Sequence, residues 1–403
     1  MSRLGFALLL VAAAAGPSAA ASPDPRSLAV PPDQQARAQT LVLKLASAAF
    51  AEREEAHEEL AKMGRLAKAA LVEAVTADPD PEVRFRCRQL LPKAAAEDLR
   101  VRVETFLADA EGKFEHDVPG WNQFRKTVPN TAAARELFAE MLADETNRTM
   151  LTAVGGPPGE LGQLIAARKA EFSPSRPGRG WNTGVAVARK DATSADLAAV
   201  LFAESQVPGR FVPVLTRGPA SSTPASAGSI ALLATTPGDR GAVYRAIVVA
   251  WVKTRDDALQ LTTALTVAET LELKEGAEVA IRLLATPGPT TYRTRAASTL
   301  ARLGSKEHLP ALEKLMTDDT ALVKSGSVVN GEQVELQVRD VALVTCVLIT
   351  GQEPKEYGFG ELYAGSRGNV TNWYLTGSVR AGALDKWKAW REKNPDFTGK
   401  KKD

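Results

Sequence analysis

Three histidines and two cysteines are the chain's whole stock of imidazole and thiol groups. A zinc-protease helix needs two histidines four residues apart, so that both rings meet one metal ion. His57 is followed by Glu58 and Glu59, but Ala61 stands where the second histidine belongs, and the motif fails. His116 and His308 are isolated in sequence and read as surface or capping residues. Cys87 and Cys346 are too few for a disulfide framework. Each reads as a small buried hydrophobe. No serine sits in a G-x-S-x-G elbow. Gly178-Arg179-Gly180 with Gly184 has no strand before it to form a dinucleotide-binding turn. Gly399-Lys400 lacks the earlier glycine of a phosphate loop. Neither a cofactor nor a metal is expected.

Two groups remain. Trp181, Asp191 and Glu204 fall in an irregular stretch, 152–227, dense in Gly, Pro, Ser and Thr. Long loops carry function, and an aromatic ring beside carboxylates would suit a hydrolase or a carbohydrate-binding protein. Trp387 and Trp390, three apart on one helix, either line a partner-binding groove or anchor that helix in a core.

The elements that would position these residues are helices. The 403 residues carry 50 Lys and Arg against 48 Asp and Glu, a net charge of +2, so no basic excess points to nucleic acid. With 44% apolar and 24% charged residues, the composition is that of an ordinary folded protein. Met1 to Arg3, the apolar run 4–15 and Ala19-Ala20-Ala21 have the order of a signal peptide over 1–21, cleaved close to Ala21. The run is too short to span a bilayer, and no later stretch is both long and uncharged enough. The mature chain is therefore expected to be exported, periplasmic or extracellular, with no membrane span. Residues 22–36, with four prolines, read as an extended linker.

Apolar residues then recur at helical spacing. Helices are expected over 51–63, 66–76, 81–91, 97–110 and 132–143, making 37–150 an N-terminal helical region. Asp80 suits an N-cap and Pro81 the first helical position. A loop-rich middle segment, 151–228, holds short helices near 159–170 and 194–204. Regular helices return across 229–351, at 239–253, 256–270, 274–285, 290–303, 306–316 and 335–349. A β-hairpin near 321–335, turning at Asn330-Gly331, interrupts them. It places Lys324 and Glu332 at a polar edge that could border a partner. The extension 352–403 ends in a helix, 380–393, and a basic tail.

One phrase repeats. Val83-Arg84 is followed by Cys87 and Leu91, Tyr292-Arg293 by Ala296 and Leu300, and Val338-Arg339 by Ala342 and Cys346. A small residue lets a neighbouring helix approach, and the position seven on faces the same seam. The last two copies fall within the ~40–47-residue period of two-helix HEAT repeats.

On these residues the chain resembles the HEAT-repeat (armadillo-type) family. That family pairs a turn aspartate with an arginine six residues on, as Asp78 and Arg84 stand here. The resemblance implies that Asp78, Arg84, Arg293 and Arg339 are structural, the first pair laddering between repeats. Pro287 and Gln333 replace the aspartate before the later arginines. The phrases DVPGWNQFRKTV at 117–128, LGSKEHLPALEKLMTDD at 303–319, QVRDVALVTCVLITGQEPKEYGF at 337–359 and the closing KWKAW are similar to those of uncharacterised secreted HEAT-like proteins of planctomycete type.

This resemblance implies an all-α, α-solenoid-like array of HEAT-type helix pairs, with irregular central loops and one inserted hairpin. It brings no activity with it. The expected function is a non-catalytic scaffold or protein–protein interaction module of the cell envelope, with a protein partner and an oligomeric state left open. The alternative is the hydrolase or carbohydrate-binding protein with a site in 152–227.

Overall fold

A computed structural model describes residues 22–172, 192–211, 230–329, 332–362 and 370–397. The protein is mostly helical, with sixteen α-helices bounded within the described residues and four short strands. It forms two compact units that divide at Val118 and Pro119. The division falls before the helix at 121–127.

The first unit packs α1 (Pro32–Lys44), α2 (Phe50–Met63), α3 (Lys68–Ala77) and α4 (Pro81–Ala108). Short turns force consecutive helices to run antiparallel. Leu41, Leu45, Leu60, Leu71, Val83 and Cys87 form the core. Asp80 caps α4 by accepting from the Glu82 N–H at 2.8 Å, with Pro81 in the first turn.

Two expectations change here. The proline-rich 22–36 stretch is not an extended linker. Pro25–Leu28 is a 3-10 turn capped by Asp24, and Pro32 opens α1, because a fixed proline φ suits the first helical turn. Arg65 donates to the Leu28 carbonyl at 3.0 Å and holds the segment down. The helices expected at 81–91 and 97–110 are one, α4, continuous through Pro92. Pro92 faces solvent, where a lost hydrogen bond is replaced by water, while Ala94 and Asp98 remain buried.

The second unit begins with Gly120, whose φ of +80° starts α5 (Trp121–Thr127). A Cβ there would lie 2.6 Å from the Leu151 carbonyl oxygen, so glycine is required. There follow α6 (Ala132–Leu142), α7 (Glu145–Thr152), α8 (Pro158–Phe172) and α9 (Ser194–Ser205). Thr131 and Asp144 cap α6 and α7, and a Thr193–Asp196 capping box opens α9. Trp121, Phe124, Phe138 and Phe202 pack ring on ring at centroid distances of 4.9–5.8 Å.

Next come α10 (Asp239–Thr254), α11 (Ala258–Thr270), α12 (Glu275–Ala285), α13 (Thr290–Leu303) and α14 (Leu309–Leu315). Each of α10, α11 and α12 packs on the next. Strands β1 (Ala321–Val329) and β2 (Glu332–Gln337) pair antiparallel, with Val329 opposite Glu332 and Lys324 opposite Glu335. The register shifts between Lys324 and Val328. Asn330-Gly331 lies outside the described residues. Because β2 runs to Gln337, α15 starts at Val338 and not at 335, and ends at Ile349. A second small sheet, β3 (Gly360–Glu361) with β4 (Trp373–Tyr374), precedes α16 (Gly377–Lys393). Strands of two residues carry no periodicity, so local pattern does not disclose this sheet. Among the described residues no helix is long and apolar enough to cross a membrane.

Candidate functional site

An arginine occupies the fourth position of six helices: Arg53, Arg84, Arg135, Arg148, Arg293 and Arg380. In three of them one guanidinium nitrogen meets the carbonyls six and five residues back. Arg53 donates to Ser47 and Ala48 at 2.8 and 3.2 Å, Arg84 to Asp78 and Pro79 at 2.6 and 2.8 Å, and Arg148 to Leu142 and Ala143 at 2.9 and 3.2 Å. Each arginine thereby fastens the incoming turn to its own helix, satisfying carbonyls that no helix serves.

Asp78 and Arg84 therefore do not pair side chain to side chain. The Asp78 carboxylate accepts from the Asp80 N–H at 2.9 Å. Arg293 behaves differently: it donates to the Leu284 carbonyl at 2.8 Å and to the Asp318 carboxylate at 2.7 Å, linking two successive turns. Arg339 sits at the second position of α15 and donates to the Gln337 side chain at 2.6 Å, so its phrase is out of phase with the other two.

Glu204, Trp181 and Asp191 were the sequence candidates for a hydrolytic or sugar-binding site. Trp181 and Asp191 lie outside the described residues. Glu204 is buried on α9 and both oxygens are engaged, by Lys169 Nζ at 2.7 Å and Trp251 Nε1 at 2.6 Å. Arg255, fully buried, donates to the Glu204 and Val207 carbonyls and to Gln260, and lies over the Trp251 ring. A second group sits on the same helices. Arg168 is fully buried and meets Asp196 at 2.7 Å and Asn147 at 3.0 Å. Burial works to raise the Asp196 carboxyl, but donors from Thr193 and Asn147, with the Arg168 charge, bring it below its ordinary range. Desolvation lowers Arg255. Gly162 on α8 gives the Gly209–Phe211 turn room to lie against that helix, since a Cβ would collide with the Phe211 carbonyl. Carboxylates saturated in this way hold helices together.

The four partner-binding candidates separate. Trp387 is buried and donates to Glu313 at 3.1 Å, and Arg391 reaches the same oxygen at 2.7 Å. Trp390 is half-buried, stacked on Trp387 at 5.1 Å and edge-on to Phe397. Glu332 accepts from the Ser378 N–H at 3.2 Å, so the hairpin touches the first turn of α16. Hydrogen bonds from the Ser378 hydroxyl and N–H, with the nearby Arg380 charge, hold its carboxyl below the usual range. Lys324 lies on β1, where only its backbone is described. One turn further, Arg380 clamps the buried Asp340 at 2.7 and 3.0 Å and donates to the Glu335 and Leu375 carbonyls. Burial nevertheless leaves the Asp340 carboxyl above its ordinary value.

Within the first unit a groove of about 320 Å³ runs between Pro25–Val30 and Asp98, Arg102 and Glu115–Val118. Lys68 and Arg102 both pair with Asp98, at 2.6 and 2.9 Å. From the groove wall, His116 Nε2 lies 3.0 Å from the fully buried Asp109. Leu43 and Phe50 flank the α1–α2 turn and are 74% and 65% exposed. Phe85, 55% exposed, stands one turn into α4, whose N-terminal end is held beside that of α2 by the Arg86–Glu54 pair at 2.8 Å.

Sequence reasoning missed Arg168, Lys169, Asp196, Arg255 and the Asp340–Arg380 clamp. A signal was present: α9 is an apolar run interrupted only by Asp196 and Glu204 among charged residues, and acids inside such a run must find partners. Cys87 and Cys346 are buried and unpaired, and burial pushes the Cys87 thiol up to about 11. Among the described residues no group of three or more His, Cys, Asp or Glu is set to hold a metal ion. Compared with known proteins, the chain matches no family model, no curated protein and no solved structure.

Proposed function

We propose that this chain is an exported, non-catalytic binding protein, an α-solenoid-like array of helix pairs that presents a surface to a protein partner in the cell envelope. The observation that carries the reading is the fourth-position arginine that clasps the incoming turn in the same way on α2, α4 and α7. Repeated units of this kind make extended surfaces, and function resides in the surface. Leu43, Phe50 and Phe85 supply large apolar side chains at one end of the first unit, where grouped exposure marks an interaction site. The full engagement of Glu204 favours binding over hydrolysis.

The test is recovery of the partner from the envelope fraction by the parent and by a Phe50→Asp/Phe85→Asp variant. The parent retains one dominant protein, and the variant loses it with unchanged helical content. Equal recovery by both removes this surface from the account. Turnover of a glycoside or ester substrate by the parent would favour the hydrolase.

A further inference from the structure

The C-terminal end of α4 holds a carboxylate where the helix dipole opposes it. Asp109 follows the last residue of a 28-residue helix, and its side chain is fully buried. A buried anion in that position requires donors and gains from a cation. The N–H groups of Lys113 and Phe114 each reach it at 3.0 Å, and His116 Nε2 lies 3.0 Å away. The side chain of Ser22 also donates to it. Lys113 itself turns to Glu111, at 2.6 Å. The segment carrying Ser22 is seated: Pro25 to Val30 wall the groove opposite His116, Asp117 and Val118, and Arg65 grips Leu28.

Ser22 is also the residue that removal of a 1–21 leader makes N-terminal. Hydrolysis adds water across the Ala21–Ser22 bond. The carbonyl carbon takes the hydroxyl and leaves as a carboxylate, its proton and the second hydrogen of water passing to the nitrogen, which becomes an ammonium. An amide with one donor is replaced by a cation with three. We propose that Asp109 is the receiving site for the Ser22 α-ammonium group, and that this ion pair locks the N-terminal segment onto the first unit after processing. The proposal rests on the export reading for its cation and is independent of any partner.

Two full-length mature chains with defined N-termini test it, one starting at Ser22 and one retaining Ala21. Acylation of each α-amine at pH 7 is followed by mass spectrometry. The Ser22 amine should react about tenfold more slowly, because a rise of one pKa unit removes about nine-tenths of the free base. The first unit of the Ala21 chain should melt lower by about 4–8 °C. Asp109→Asn in the Ser22 chain should restore fast acylation; if that variant does not fold, the comparison of the two N-termini decides alone. Equal acylation rates, or coincident melting, would overturn the proposal. Intact mass of the native exported protein separates the two readings. A native N-terminus elsewhere removes the leader reading and the proposal together, whereas a Ser22 N-terminus with an unprotected amine removes the proposal alone.

Discussion

Arg84 donates to the main-chain oxygen of Asp78 at 2.6 Å, while the Asp78 carboxylate turns to the N–H of Asp80. The six-residue spacing thus marks a turn clasp and not a ladder of side chains. The side-chain ladder occurs instead between Arg293 and Asp318, in successive turns of the second unit.

Arg84→Ala should lower stability by about 1–2 kcal/mol, while Asp78→Asn, which keeps the local acceptor, should stay within about 0.5 kcal/mol. Urea unfolding measures both. Equal losses would restore the side-chain pair.

Arg380→Ala should cost more, about 3–5 kcal/mol, because it strands a buried carboxylate. Asp340 also sets the sign of the pH dependence. Its folded pKa is already raised by burial, so it favours the fold at low pH and disfavours it as pH rises through the folded value. The Arg380→Ala protein should therefore be more stable at pH 5 than at pH 7, relative to the parent. A deficit independent of pH would place the loss in packing.

Glu204→Gln keeps the shape of the side chain and removes its charge beside Lys169. Unfolding should show a loss of about 3 kcal/mol. A neutral result would mean that the carboxylate is not needed for packing, and would reopen a chemical role for it.

Asp109 acts in the opposite sense to Asp340. Burial raises its carboxyl, but hydrogen bonds from Phe114, His116, Lys113 and Ser22 outweigh that and hold it at about 2. A lowered folded pKa gives stability that is complete above the unfolded value near 3.9 and lost as pH falls toward 2. Asp109→Asn should flatten the acid limb of the parent's melting curve in that window. An unchanged acid limb would assign the acid sensitivity to other carboxylates, such as Asp98 and Asp196, which are also lowered.

The helices were legible because their signals are local. Pro81 after Asp80, Thr131 before an apolar run, and the apolar spacing of 290–303 each fix an element within a few residues. The hairpin was legible for the same reason. The join of two helices through Pro92 was not, since it depends on which face of α4 meets solvent. Trp387 gave no sign of whether it faced a groove or a core, because Glu313 lies 74 residues away in sequence. The Lys169–Glu204–Trp251 contacts span 35 and 47 residues, beyond any local pattern.

On the proposed reading, the N-terminal ends of α2 and α4 carry the protein-binding surface of the first unit. A photo-reactive side chain placed at Phe85, with Lys388 on α16 as the exposed control, tests it most directly in the living cell. One discrete crosslinked protein adduct is expected at position 85 and none at 388. Absence of any adduct at 85, or the same adducts at both positions, would contradict it.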